Sequence, residues 1–475
     1  MLLALSLLLL TGGTSFAQYN TAEISGVVTD DQGAVLPGVS VAATHVASGV
    51  RVERISDSAG RFFLPALPVG EYTIVAVLPG FKQFAEQGLV LKVGQRIELS
   101  VMLQIGQISD TVTVSAETPL LRTANAEVSD GIDNRQVEEL PLNGRQFIQL
   151  AQLTDGVTIP PGGTRGAALG QAGPLPNVYG QRGGHNIYLI DGVKVTDEFF
   201  NNLVISPSID AIQEFKISKT MYPAEFGGKA SALINVVTKS GANSIHGSAL
   251  EFARHEKFDA HNYFDDRTQP MPPLRQNQFG VNVGGPVKRD QTFFFFSYEG
   301  QRIRKAQTQT FSVPTAGLRR GDFLGLTALC DPLTRTAAGT CATFAGNQLP
   351  ANRLSPVAAA LLARVPLPTS AGLDKNLLGV EDQVNPMNQF SLKVDHRFKV
   401  GDNLSGRLTT FRIHDRQPFG TGALNEALVS GFGRTVTTAS ENVALSHTHV
   451  FGSRWLNEVR FGYLAARGGQ VSPKQ

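Results

Sequence analysis

Asn177–Gly241, NVYGQRGGHNIYLIDGVKVTDEFFNNLVISPSIDAIQEFKISKTMYPAEFGGKASALINVVTKSG, is a dense run of short β-like segments broken by glycine pairs. His185–Ile190 is apolar and runs into Asp191-Gly192, a dipeptide that favours a tight turn because both residues tolerate positive φ. Ser208–Phe215 reads as one or two helical turns leading into a Lys216–Lys219 strand. Gly227 and Gly228 are expected to let backbone approach backbone. Ala232–Thr238 is a β-branched strand closed by Lys239-Ser240-Gly241. Taken alone, this is a small α+β domain with glycine-rich turns.

The flanks carry a different texture. The chain has 475 residues, of which 42 are basic and 40 acidic, so its net charge of +2 points to no nucleic-acid partner. Charged residues make up only 17%, and 49 residues are glycine. No window beyond the N-terminus holds about 18 consecutive apolar residues, which excludes a membrane helix there. Low charge and high glycine suit β-structure, whether a membrane barrel or a secreted β-protein.

Residues 1–17 read as a secretory signal. Leu2–Leu10 is too short to span a membrane as a helix, and Ser15-Phe16-Ala17 offers small residues at the cleavage positions. The first basic residue is Arg51, so the usual basic leader segment is missing. Only Cys330 and Cys341 are present. In an exported chain they read as a loop disulfide, with two free thiols as the alternative.

Residues 18–106 hold strands at hairpin spacing: Glu23–Thr29, Val39–Val46, Arg51–Ser56, Gly70–Leu78 and Arg96–Leu103. Turn chemistry separates them at Asp30–Gly33, Ser48-Gly49, Asp57–Gly60 and Pro79-Gly80. This is the pattern of a two-sheet sandwich. With Gly26, Val28, Asp30, Gly33, Pro37-Gly38-Val39, Thr44, Gly60, Phe62, Leu67-Pro68, Gly70, Tyr72 and Gly80-Phe81, it resembles the carboxypeptidase regulatory-like domain, a transthyretin-like sandwich. No His here has a Glu three residues on, as a zinc carboxypeptidase would need, so the domain reads as a structural or docking module.

Beyond Gly241 the segments approach the length of membrane-crossing strands, about 9–11 residues. In Gln389–Lys399, Phe390, Leu392, Val394, His396 and Phe398 share one face, and Ser391, Lys393, Asp395, Arg397 and Lys399 the other. Gln276–Gly284 and Trp455–Tyr463 alternate likewise, and Ser244–Arg254, Thr292–Arg302, Asn403–Ile413 and Glu441–Phe451 more weakly. An outer-membrane barrel alternates in this way, and so does a soluble sheet with one wet face.

The order RGG…IYLIDGV, IDAIQEFKI, AEFGGKASALINVVTKSG resembles the plug domain of TonB-dependent outer-membrane receptors, here of the Oar-like group. The residues that carry it are Arg182, Gly183, Gly184, Asp191, Gly192, Gly227, Gly228 and Thr238. The resemblance implies a mainly β chain: signal peptide 1–17, sandwich 18–106, linker 107–120, α+β plug 121–241, and the start of a transmembrane antiparallel barrel over 242–475 with a long loop 304–385. Within the linker, Asp110, Thr111, Val112, Thr113, Val114, Ser115 and Ala116 resemble a TonB box. They also fit the last strand of the sandwich. The plug is expected to contain helices at Asn134–Leu140 and Gln146–Leu153, and the long loop one at Pro356–Val365.

The resemblance implies energy-coupled uptake of an unidentified large substrate across the outer membrane, with a TonB-type complex, membrane lipid and that substrate as partners. It implies no catalysis, cofactor or metal. The rival reading is a secreted or surface β adhesin or carbohydrate-binding protein. Seven candidate strands cannot close around such a plug, since plugged transporters have about 22, so the chain is expected to be a piece of a longer receptor.

Overall fold

The computed structural model describes residues 20–106, 111–115, 128–142, 144–159, 174–198, 201, 203–222, 226, 228–261, 271, 273–399, 401–419, 433–451 and 455–471. The expected signal segment, Asp110, Ala116 and Gly227 lie outside them.

Eight strands build the N-terminal unit: β1 (Ala22–Asp30), β2 (Ser40–His45), β3 (Arg51–Ile55), β4 (Arg61–Leu67), β5 (Gly70–Val77), β6 (Gln83–Leu91), β7 (Arg96–Leu103) and β8 (Thr111–Ser115). They form two sheets, β4-β1-β7 and β3-β2-β5-β6-β8. Alternate residues of both sheets, among them Ile24, Val28, Val41, Leu64, Ile74 and Val101, make one core. The Tyr72 hydroxyl, inside that core, donates to the Pro68 carbonyl at 2.8 Å. Strands β4 and β6 escape a reading by alternation. Pro65 interrupts β4, which tolerates it as an edge strand with a register shift opposite Ala22–Ile24. A second shift falls opposite β6, where Gly88 takes φ +77°.

The α+β unit opens with β9 (Val128–Asp133) and helix α1 (Asn134–Glu139). Asp133 caps α1 by accepting from the Gln136 amide, and the Gln136 side chain returns the bond. Phe147–Leu153 is a 3-10 helix, burying Phe147, Ile148, Leu150 and Ala151. The two-residue strands β10 (Val157–Thr158) and β11 (Asn177–Val178) pair with each other. Then come β12 (Ile187–Ile190), β13 (Val193–Lys194), β14 (Ile212–Thr220) and β15 (Leu233–Thr238), in a sheet ordered β13-β12-β15-β14-β9. The helical stretch expected over Ser208–Phe215 is only the 3-10 turn Ile209–Ala211, because Ile212 already joins the ladder opposite Thr238.

Gly228 corrects another expectation. Among the described residues, a Cβ there would meet nothing within 4 Å, so no close backbone approach is seen at this position. Its φ of +95° is what demands glycine.

Among the described residues, seven further strands form one antiparallel sheet in sequence order: β16 (His246–His255), β17 (Leu274–Lys288), β18 (Thr292–Phe311), β19 (Leu377–Lys399), β20 (Asp402–Gln417), β21 (Arg434–Phe451) and β22 (Trp455–Val471). One face carries exposed apolar side chains such as Leu392, Val394, Leu408, Leu445 and Phe461. The other buries Glu299, Lys393, Arg407 and Asn442. Strands β18 and β19 pair without a register shift from Thr292↔His396 to Phe311↔Leu377, so the long connection is 312–376 and not 304–385. Over Gln301–Gln309 and Glu381–Asn388 both faces are largely polar. Alternation vanishes there while the backbone ladder continues. The connection carries α2 (Ala316–Arg319) and α3 (Pro356–Leu362).

The hydrophobic core of the α+β unit extends to Phe411 on the wall, with Met387, Ile413 and Leu464 packed against it. The α+β unit therefore lies on the polar face of the seven-stranded sheet.

Candidate functional site

The β12–β13 hairpin turns at Asp191 and Gly192, with φ of +47° and +73°. That turn brings the Asp191 carboxylate to the end of β15. There it accepts from the Thr238 amide at 2.9 Å and the Thr238 hydroxyl at 2.7 Å. The wall supplies the counter-charge. Arg407 Nε donates to Asp191 Oδ2 at 2.7 Å, and Nη2 to the Ile190 carbonyl at 3.1 Å. Its remaining donors go to Thr409 Oγ1 and Asn442 Oδ1, at 2.6 and 2.7 Å. Lys393 Nζ stands 3.7 Å from Asp191 and donates to the Thr238 carbonyl at 3.1 Å. Burial alone would raise the Asp191 carboxyl. The Lys393 and Arg407 cations and the Thr238 hydrogen bonds together hold it below the usual carboxylate value.

A second polar contact lies further along the wall. Arg145, on the turn before the 3-10 helix, pairs with Asp210 and places Nε 3.9 Å from Glu299 Oε2. Its guanidinium stacks 5.0 Å from the Phe252 ring centroid. Gln278 donates to the other Glu299 oxygen at 2.6 Å. Beside this group a cavity of about 490 Å3 opens between the turn at Gly144–Gln146, Ser206-Pro207 and the inner faces of β17–β21. Above it, hydrogen bonds cross five strands: Gln307 to Gln383 at 2.7 Å, Gln383 to Asp415 at 2.8 Å, Gln417 to Asp415 at 2.6 Å, and Arg434 to Gln417 and Gln470 at 2.7 and 3.2 Å.

The sandwich sits at the opposite end, against the short turns of the wall. Asn243 donates its amide to the Ala47 carbonyl at 3.0 Å and its side chain to Ser48 O and Asp290 Oδ1, both at 2.7 Å. Arg397 reaches the Arg51 carbonyl. The Val93 amide donates to the Glu214 carboxylate on β14. Burial pushes that carboxyl up to about 7, although the Val93 hydrogen bond and Lys92 pull the other way.

The residues singled out by sequence fall in several places. Asp191, Gly192 and Thr238 meet at the wall contact. Gly183 lies where a Cβ would stand 2.8 Å from that of Leu175; Gly184 is buried beside it and Arg182 is exposed. Thr111–Ser115 forms β8, parallel to β6, at the edge of the five-stranded sandwich sheet. Cys330 and Cys341 are joined, with Cα atoms 5.6 Å apart, next to a two-bond pairing of Asp331 with Arg353 at 2.7 and 3.1 Å. Arg407, Arg145 and Glu299 were not singled out. The available signal was a charged residue on the inward face of an alternating strand, which an ordinary wet face shows as well. Among the described residues, no group of three His, Cys, Asp or Glu side chains could hold a metal ion.

Residues 237–475 match the outer membrane beta barrel domain, and residues 23–104 the carboxypeptidase regulatory-like domain. A curated relative, the TonB-dependent transporter Oar of Myxococcus xanthus, is 25% identical over 322 residues, covering 64% of this chain and 29% of its own length. The chain thus spans under a third of the relative it matches. Among solved structures, the outer membrane transporter YddB from Escherichia coli aligns over 70% of this chain and 38% of its own, at 12% identity and TM-score 0.44. The siderophore receptor PiuA from Acinetobacter baumannii aligns over 72% and 45%, at 11% identity and TM-score 0.36.

Proposed function

We propose, from the premise that this chain belongs to the outer membrane beta barrel domain family, that it is part of an energy-coupled transporter in which the α+β unit is the plug. The strands β16–β22 sit in the outer membrane. The uptake function is carried over from the transporter relative, together with one observation on this chain. That observation is the polar part of the plug–wall contact, with Asp191, Arg407, Lys393 and Thr238 at its centre, beside the apolar contact at Phe411. A permanent filling would be expected to be apolar. Charged and hydrogen-bonded groups can exchange their partners for water when a plug shifts, so a hydrophilic seam suits a plug that moves.

Coupling is assigned to Thr111–Ser115. Strand addition to a partner needs an open backbone edge, and among the described residues β8 is the outermost strand of its sheet. The segment therefore need not leave the sandwich for a partner strand to pair with it. No chemistry on a substrate is part of the reading. A surface adhesin has no use for such a segment, and this separates the two functions.

A photo-crosslinking residue at Thr113 of the full-length receptor, in energised cells, tests the assignment. The expected result is an adduct with a TonB-type envelope protein that is lost when the proton gradient is collapsed. Normal outer-membrane levels with no adduct would favour the adhesin.

A further inference from the structure

We propose that the outward face of the wall carries a lipid site, in which Arg412, Arg416 and Arg467 hold the phosphates of an outer-leaflet lipid bearing at least two of them. The inference goes beyond the transporter reading and uses only the placement of β16–β22 in the outer membrane.

Register defines this face. Phe296, Leu392, Leu408, Val443 and Tyr463 stand side by side on five neighbouring strands, one apolar row turned away from the plug. Four residues further along β20 is Arg412, level with Ala439 on β21 and Arg467 on β22. Another four residues on is Arg416, level with Thr435. Toward the short turns the same face ends at Asp402, ten residues before Arg412. That separation is about 33 Å along a strand, or about 25 Å across the bilayer at the usual strand tilt, which is the height of an apolar band. Arg412 and Arg467 therefore mark one polar rim, and Asp402 the other. In such walls the short turns face the periplasm, so the arginine rim, on the side of the 312–376 connection, lies at the cell surface.

The two rims differ in chemistry. At the short turns Asp402 takes His447 at 2.8 Å and His449 at 3.4 Å, so its charge is met within the protein. At the surface rim Arg412, Arg416 and Arg467 are exposed, and among the described residues none of them has an ion-pair partner. Glu441, between Ala439 and Val443 on the same face, pairs with none of the three. The neighbouring arginines are engaged: Arg304 with Asp382, and Arg302 with Asn388 Oδ1 at 2.8 Å and the Phe279 ring.

A planar guanidinium presents two parallel N–H donors to a phosphate. Arg412 and Arg467 flank Ala439 across two strand spacings, about 10 Å, and the small methyl leaves room for both to close on one phosphate. Arg416, about 13 Å along β20 from Arg412, serves a second phosphate, with Thr435 and Thr437 beside it as hydroxyl donors. A free anion would use this rim alone. A lipid also lays its acyl chains on the Leu408–Val443–Tyr463 row directly beneath, and that continuity selects the lipid.

The test is native mass spectrometry of delipidated full-length receptor in non-ionic detergent. The probes are diphosphoryl lipid A, its monophosphoryl form and phosphatidylethanolamine, with inorganic phosphate as competitor. The diphosphoryl lipid should give a one-to-one adduct, the monophosphoryl form should bind at least threefold more weakly, and phosphatidylethanolamine at least tenfold. Arg412→Gln, Arg416→Gln and Arg467→Gln together should weaken the adduct at least tenfold with the thermal midpoint kept. Arg302→Gln with Arg304→Gln, which alters the same belt outside the site, should change it less than twofold. Should the triple variant fail to fold, Arg467→Gln alone should give at least a threefold loss. Equal adducts with all three lipids, displacement by millimolar phosphate, binding indifferent to the arginine variants, or an equal loss in the Arg302/Arg304 variant would each overturn the site. None of these outcomes bears on the adduct at Thr113, so the site and the transporter reading stand or fall separately.

Discussion

Asp191 and Arg407 meet at 2.7 Å between the turn of a hairpin and the inward face of a barrel strand, 216 residues apart in the chain. Each also has partners on its own side, Asp191 in Thr238 and Arg407 in Thr409 and Asn442. Partners on the same side limit the side-chain entropy that the pairing itself costs. The pair also fixes register. A plug rotated by one strand would leave both charges buried and unpaired.

Removing one partner should therefore cost far more than the pair contributes. Arg407→Leu and Asp191→Asn are each expected to destabilise plug seating by about 3–5 kcal/mol, because the remaining charge stays buried. The double variant should cost less than the sum of the two. Protease sensitivity and melting of full-length receptor measure all three. Strict additivity would show that the pair does not hold the plug. The depressed Asp191 carboxyl adds a pH signature. Its stabilisation is present above its unfolded value near 3.8 and is lost as pH falls through the lower folded value. Asp191→Asn should remove that acid-side loss.

Glu214 has the opposite sign. Burial raises its carboxyl from 4.5 to about 7 under the sandwich. The docked form then holds a proton that the undocked form releases between these values. Docking is thus favoured below about pH 4.5 and weakens as pH rises through 7, by at most about 3 kcal/mol. Hydrogen exchange at the Val93 amide, corrected for intrinsic rate, should reveal faster opening at pH 8 than at pH 5.5. Glu214→Gln should flatten the difference. An unchanged pH dependence in that variant would exclude Glu214 as its source.

The Cys330–Cys341 bond closes a short loop within the 312–376 connection, with a sequence separation of 11. Closing a loop of that size restricts the unfolded segment by about 3 kcal/mol in the chain-entropy model. Cys330→Ser with Cys341→Ser should loosen this connection toward proteases while leaving the wall intact. Non-reduced peptide mass spectrometry should find the linked pair in envelope protein. Two alkylatable thiols there would rule it out.

Much of this architecture was readable where physics writes directly into residue order. Asp191-Gly192 gave its turn away because few residues accept two successive positive φ values. The alternation over Gln389–Lys399 marked a strand because one face meets an apolar medium and the other does not. Where both faces are polar, as in Glu381–Asn388, the ladder is backbone-made and leaves no trace, so the 304–385 loop was drawn too long. Strand β4 was hidden for a related reason, since Pro65 is tolerated only by virtue of an edge position that the tertiary fold provides. Arg407 was harder still. Its role depends on a carboxylate supplied from a distant turn, and no local pattern separates it from an ordinary wet-face cation.

Strand β8 allows the coupling role to be separated from the sandwich role. In a strand, the N–H groups of residues i and i+2 point to the same side. Val112 and Val114 thus share one edge of β8, and Thr111 and Thr113 the other. One set bonds β6 in the parallel ladder, and the other faces outward. Proline removes the N–H and fixes φ near −65°. Two double variants, Val112→Pro with Val114→Pro and Thr111→Pro with Thr113→Pro, should therefore fail differently. The pair facing β6 should loosen the sandwich and lower outer-membrane abundance. The outward pair should leave abundance normal yet lose the partner adduct, read from a photo-crosslinking residue at Ser115. Main-chain pairing predicts little effect from Val112→Thr or Thr113→Val in either assay. If both proline pairs lowered abundance equally, β8 would be a structural strand alone. Undiminished partner capture in both would move the coupling segment elsewhere in the chain.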